Sequence, residues 1–213
     1  DGRNWEALIG RQTGLPIRGK VVVEEVAFRD GVVLMETEHT PERDEPSFHR
    51  AWRSTDGGRT WSPAEIPAPK GTRGLKIGGG EAGLVAVREV KAGKSVYGQV
   101  YTSADAADWK KGGKLEPDGY RYVQRLLGTG DGFVAVSERG RDLLISRSAD
   151  GDSWQDAGTL PAASGRRMLS ASATGAHTVL VGHDPGNGDR NALLAGRGAD
   201  GTETAVDPLK IPG

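Results

Sequence analysis

The chain has 213 residues, a formal net charge of −1 and no cysteine. That length allows one large domain or an array of repeats, and the charge balance supplies no global field for nucleic acid or a membrane surface. Without cysteine there are no disulfides and no thiolate metal sites, and no apolar run approaches the roughly 20 residues of a membrane-spanning helix.

Residues 1–10 read as one outermost strand, opening on Asp1-Gly2-Arg3-Asn4-Trp5. No signal-peptide pattern opens the chain, and the expectation is that the natural polypeptide starts upstream. A first unit covers about 21–65, with strands at 21–26 and 32–35, a charged polar loop at 36–46, and a third strand at 48–53. It ends in Ser54-Thr55-Asp56-Gly57-Gly58-Arg59-Thr60-Trp61. A second unit covers about 75–115, with the apolar run Gly83-Leu84-Val85-Ala86-Val87, Tyr97 and Tyr101 on its third strand, and the turn Ser103-Ala104-Asp105-Ala106-Ala107-Asp108-Trp109. A third, about 122–159, repeats this with Gly132-Phe133-Val134-Ala135-Val136 and Ser148-Ala149-Asp150-Gly151-Asp152-Ser153-Trp154. A fourth, about 169–208, holds Thr178-Val179-Leu180-Val181 and a worn turn, Gly198-Ala199-Asp200-Gly201-Thr202, without the Trp. Each apolar run is of strand length and bounded by turn residues, and no stretch reads as an amphipathic helix. The 33 Gly and 11 Pro suit such a turn-dense all-β chain.

The turn motif has a physical logic. Its Asp accepts hydrogen bonds from backbone N–H groups of its own turn, the Ser hydroxyl does the same, glycine allows positive φ, and the Trp ring covers the corner. The Trp residues recur at intervals of about 45–55 residues, the period of four-stranded propeller blades. The pattern S-x-D-x-G-x-T-W at Ser54, Asp56, Gly58 and Trp61, repeated at Ser103, Asp105, Trp109 and at Ser148, Asp150, Trp154, resembles the Asp-box (BNR) repeat of sialidase-like β-propellers. The resemblance covers nearly the whole chain. It implies an all-β propeller of which four blades and one strand are present, with missing upstream blades or a partner chain completing the ring, because an open array leaves unpaired edges. It also implies an extracellular or cell-surface, lectin-like setting, and the Gly-, Ala- and Arg-rich composition has a bacterial style. The Asp boxes themselves are expected to lock turns, away from any active face.

Function is expected on the opposite face. Arg18, Arg73, Arg121 and Arg166 each stand about a dozen residues after a Trp, just before an expected inner strand. Two readings stand: a ring of guanidiniums that binds a carboxylate or phosphate by bidentate hydrogen bonds, or arginines that pair with neighbouring blades. Sialidases hold their substrate carboxylate with three arginines near the starts of inner strands, which the resemblance carries to these positions. Tyr120 and Tyr122 flank Arg121 and could stack on a sugar ring, or fill a blade edge; strand alternation turns Arg121 away from both. Lys20, Lys70, Arg125, Arg167, His39, Glu42, Asp44, Glu45, His183 and Asp184 share the face. A sialidase needs a Tyr nucleophile with a Glu partner, a free Asp and an Arg-Ile-Pro motif. These are not found as a set, and Leu15-Pro16-Ile17-Arg18 has the residue types in another order. The four His, His49 among them, lack metal-ligand spacing. No cofactor is expected. The leading expectation is a non-catalytic module that recognises a glycan or a protein partner; the alternatives are a sialidase-like glycoside hydrolase and a scaffold propeller.

Overall fold

In this computed structural model the described residues are 13–15, 19–41, 46–139, 142–160, 167–174, 177–183, 192–197 and 203–206, and of the last sheet only the backbone is described. Among the described residues sixteen strands form four antiparallel sheets, each of four strands consecutive in the chain. The first holds β1 (Lys20–Arg29), β2 (Val32–Thr40), β3 (Phe48–Ser54) and β4 (Ser62–Pro63). The second holds β5 (Thr72–Gly80), β6 (Gly83–Ala92), β7 (Ser95–Ser103) and β8 (Lys110–Leu115). The third holds β9 (Tyr120–Gly128), β10 (Phe133–Arg139), β11 (Asp142–Ser148) and β12 (Gln155–Leu160). The fourth holds β13 (Arg167–Thr174), β14 (His177–His183), β15 (Ala192–Arg197) and β16 (Glu203–Val206). β5 lies between β1 and β9, and β9 meets β13, so each sheet is a blade with its first strand innermost. This is the expected all-β architecture, a partial propeller.

Burial on both faces explains the apolar runs. Leu84 and Ala86 of β6 face blade 1 in a core with Ala27, Leu34, Leu75 and Ile77. Val85 and Val87, one residue out of phase, face blade 3 in a core with Tyr120, Val123, Leu126 and Phe133. A strand covered on both sides cannot alternate apolar with polar residues. Where inner strands approach most closely only glycine fits: a Cβ on Gly78 would stand 2.5 Å from the Leu126 carbonyl oxygen. β1 and β2 are joined by Asp30-Gly31, with φ of 45° and 77°, the two-residue hairpin whose twist matches its strands.

Every inner strand carries a register shift, at Val23/Glu25, Thr72/Gly74, Met168/Ser170 and twice in β9. The inner strands also begin earlier than expected. β5 opens at Thr72 and β9 at Tyr120, so Arg73 and Arg121 lie within strands rather than ahead of them. Strand direction sorts the connections. The Ser–Asp turns share one end with the β1–β2, β5–β6 and β9–β10 hairpins. The starts of the inner strands form the other end, called the mouth below.

Candidate functional site

The turn end is locked locally. In the first turn Ser54 Oγ donates to Asp56 Oδ1 at 2.8 Å and accepts from Gly58 N at 2.9 Å. Thr60 donates its backbone N–H to Asp56 Oδ1 and its hydroxyl to Oδ2, at 2.9 and 2.6 Å. These bonds, the Thr60 hydroxyl first, hold the Asp56 carboxyl down at about 2. Trp61 Nε1 donates to the Gly58 carbonyl at 2.9 Å. In the second turn Ser103 Oγ accepts from Ala106 N at 2.9 Å, and Asp105 accepts from Ala107 N and Asp108 N. In the third, Ser148 Oγ accepts from Gly151 N at 2.8 Å, Asp150 accepts from Asp152 N and Ser153 N, and Trp154 Nε1 donates to the Gly151 carbonyl. Ala106 holds the left-handed corner at φ 59°, where the third turn has Gly151. The Trp109 indole N–H is buried without a partner, unlike those of Trp61 and Trp154. Backbone bonds lower Asp105 and Asp150 as well, so all three carboxylates are acceptors committed to turns.

The mouth is built differently. Arg73 and Arg121 occupy the same bulged position of successive inner strands, opposite Glu89–Val90 and Glu138–Arg139. Arg73 is exposed. Arg121 Nη1 donates to Glu138 Oε1 at 2.7 Å, and Gln124 Nε2 donates to Glu138 Oε2 at 3.3 Å. The Tyr122 hydroxyl bonds the same carboxylate. Burial pushes Glu138 up, but the bonds from Tyr122, Arg121 and Gln124 outweigh it and leave the carboxyl below its ordinary value. The alternation expected to separate Arg121 from Tyr122 fails because β9 is bulged at both Arg121 and Gln124. Tyr122 keeps 43% of its surface exposed beside this hub.

Tyr120 does not share that exposure. It is buried between blades 2 and 3, and its hydroxyl donates to Glu89 Oε1 and Oε2 at 2.9 and 2.8 Å. Val123 N donates to Glu89 Oε1 at 2.7 Å. A ring with its hydroxyl turned inward is no platform for a sugar, so of the two tyrosines only Tyr122 faces outward. His39, another face candidate, is buried, bonded to Thr37 Oγ1 at 2.8 Å and stacked on Phe48. Lys20 and Lys70 are exposed. Arg18, Glu42, Asp44, Glu45, Arg166 and Asp184 lie outside the described residues, and of Arg167 and His183 only the backbone is described.

Sequence reasoning did not single out a charged belt at mid-strand. Glu25, Lys76 and Arg125 hold one position in three successive inner strands, opposite Glu36, Val87 and Val136. Glu25 Oε2 accepts from Ile77 N at 3.3 Å, and Oε1 lies 3.8 Å from Arg125 Nη1. Behind them the fully buried Glu36 carboxylate binds His49 Nδ1 at 2.8 Å and lies 3.8 Å from Lys76 Nζ. Burial raises Glu25 to about 7, against the pull of Lys76. The bond to Glu36 raises His49. The sequence signal was faint: three charged residues recur at the repeat interval, but the same strands also carry Glu24, Arg73 and Arg121. Among the described residues no three His, Asp or Glu converge as a metal ion would require.

No protein-family model and no curated protein sequence matches the chain. Solved structures do resemble it. An α-L-arabinanase from Penicillium chrysogenum, complexed with arabinobiose, aligns with TM-score 0.51 and 14% identity over 93% of this chain and 68% of its own. Fructan 1-exohydrolase IIa from Cichorium intybus aligns with TM-score 0.56 and 14% identity over 98% of this chain and 48% of its own. A β-fructofuranosidase from Bombyx mori gives 0.53 and 14% over 89% and 49%. The chain thus spans about half the length of the last two. All three are β-propeller glycoside hydrolases, and at this identity the likeness is one of fold.

Proposed function

We propose that this propeller is a carbohydrate-binding module, extracellular or at the cell surface, whose ligand sits at the mouth on Tyr122. The observation that carries this is the Glu138 hub. One carboxylate fixes the exposed Tyr122 ring, the Arg121 guanidinium and the Gln124 amide together. An aromatic face edged by pre-positioned polar groups suits a sugar, which offers an apolar ring face and a rim of hydroxyls. Arg73 at the equivalent position of the preceding blade extends the rim towards an acidic substituent. The test is titration with a panel of neutral and acidic oligosaccharides, followed by tryptophan fluorescence and calorimetry. Binding weakened at least tenfold by Tyr122→Ala, with unchanged melting, supports the reading. Binding indifferent to that change, or none across the panel, sinks it in favour of a protein ligand or a scaffold.

A second reading, a sialidase-like glycoside hydrolase, draws on the charged belt. Glu25, held near neutrality beside a second carboxylate and two cations, has the proton affinity of a general acid. Hydrolysis of a fluorogenic sialoside or arabinoside that Glu25→Gln abolishes would favour it over the first.

A further inference from the structure

Blades 2 and 3 begin alike. Pro69-Lys70-Gly71-Thr72 and Pro117-Asp118-Gly119-Tyr120 form the same tight turn. Thr72 N donates to the Pro69 carbonyl at 3.1 Å and Tyr120 N to the Pro117 carbonyl at 2.9 Å, with Gly71 and Gly119 at φ of 88° and 76°. An arginine follows each turn and stands at a bulge beside a glutamate of the second strand, Glu89 or Glu138. There the two blades part. Glu138 stays within its own blade and pairs with Arg121 at 2.7 Å. Glu89 turns to the next blade, where Tyr120 Oη and Val123 N occupy its carboxylate. Arg73 is thereby left exposed, with no ion pair among the described residues. Three lysines join it. Lys70 holds the turn position that Asp118 holds in blade 3. Lys91 is tied beside that turn, since its backbone N–H donates to the Gly71 carbonyl at 3.0 Å, and Lys94 stands at the tip of the β6–β7 hairpin. All three are exposed and, among the described residues, also without an ion pair. Lys114, by contrast, is committed to the Tyr97 ring and to Glu116. A chain of net charge −1 thus gathers four unpaired positive charges at the mouth of one blade.

We infer that the mouth of blade 2 is a subsite for anionic sugar residues, and that the ligand is a polyanionic oligosaccharide running from the Tyr122 ring out over Arg73, Lys70 and Lys91. The inference rests on the proposed saccharide site at Tyr122 and adds the ligand's charge and its direction across the mouth. Exposed cations without internal partners repel one another, and a bound anion relieves that repulsion while gaining charge-assisted hydrogen bonds. Arg121 offers less, because its guanidinium already has a carboxylate, so discrimination for an acid falls to Arg73 and the lysines. The four cations lead outward from β5 through the turn to the β6–β7 tip, which fits anionic groups repeated along a chain. One exposed ring beside them suits a sugar, whereas stacking of successive nucleic-acid bases takes several.

The test is calorimetric titration of the whole chain with matched pairs: oligogalacturonate and its methyl ester, and a sulfated dextran oligosaccharide and its unsulfated form. The readout is the ratio of acidic to neutral affinity. In the wild type the ratio should be at least tenfold for one pair, which says whether uronate or sulfate is the anion, and it should shrink as salt rises. Lys70→Gln with Arg73→Gln should bring the ratio close to one. Lys110→Gln with Lys111→Gln removes the same charge at the turn end and should leave the ratio as it was. All four side chains are exposed, and thermal melting verifies that both variants fold. A ratio near one for both pairs in the wild type overturns the inference, as does a preference that survives Lys70→Gln with Arg73→Gln or is lost equally in the control. Tighter binding of single-stranded DNA than of either acidic sugar overturns it in favour of nucleic acid. If neutral sugars bind through Tyr122 but no acid preference exists, this inference alone falls. If Tyr122→Ala changes the affinity for neither form, the underlying reading of the mouth falls with it.

Discussion

The two ends of the blade stack hold themselves together by opposite means. At the turn end the motif Ser and Asp side chains bond within their own loops, as Asp56 and Thr60 do, four residues apart, and Arg29 Nη1 adds one bond across blades to the Ala104 carbonyl. Towards the mouth Glu138 bonds within blade 3, but Glu89 and Glu25 reach between blades. Glu89 binds Val123 N, 34 residues on, and Glu25 binds Ile77 N, 52 residues on. The turn end can thus form before the blades meet, whereas the junction bonds exist only once neighbouring blades have docked. The turn end is expected to be locally robust, and the mouth to share the cooperativity of the whole fold.

The largest effect should come from forcing two inner strands apart. Gly78→Ala places a Cβ against backbone, which cannot yield as a side-chain tip can, and should destabilise by about 3 kcal/mol in urea denaturation. A loss below about 1 kcal/mol would mean that the junction is looser than described. Glu89→Ala strands two buried donors, Tyr120 Oη and Val123 N, at about 1–3 kcal/mol each. Tyr120→Phe, which removes one of them together with its hydroxyl, should cost less.

The same junctions predict a pH dependence. Glu25 and Glu89, buried, are both raised from 4.5 to about 7. The folded chain therefore holds these protons more tightly than the unfolded chain. Their contribution is complete below about pH 4.5 and drains away as pH rises through 7. Asp56, lowered from 3.8 to about 2, acts in the opposite sense and only below pH 4. Between pH 5 and 8 the wild-type midpoint should fall, and Glu25→Gln with Glu89→Gln should flatten that slope. An unchanged slope would remove the carboxyls from the junction's energetics.

Smaller effects belong to the turn end. Ser103→Ala leaves Ala106 N without its buried acceptor and should cost about 1 kcal/mol. Ala106→Gly relieves a left-handed alanine but removes a fully buried methyl from the blade 1–2 core, terms of about 1 kcal/mol each. Its net effect should lie within about 0.5 kcal/mol of zero. If the turn variants cost more than the junction variants, the contrast between the ends is reversed.

The Ser–Asp turns, the blade period and the apolar second strands were legible because each is set by neighbours in sequence: an Asx turn closes within a few residues, and a strand covered on both faces must be apolar throughout. The mouth was legible in part. Register does place Arg73 and Arg121 alike, but nothing local revealed that Tyr120 turns inward to Glu89 while Tyr122 turns outward to Glu138. That division depends on two bulges in β9 and on a carboxylate 31 residues before Tyr120. The charged belt was concealed in the same way. Glu25, Lys76 and Arg125 stand in separate repeats, and only the lateral stacking of β1, β5 and β9 makes them neighbours. The sequence by itself determined the repeats, the turns and the strands, because hydrogen bonds and burial pattern act at short range. The tertiary structure alone decided which polar side chains face one another, because that depends on the register of strands that meet only after the blades have docked.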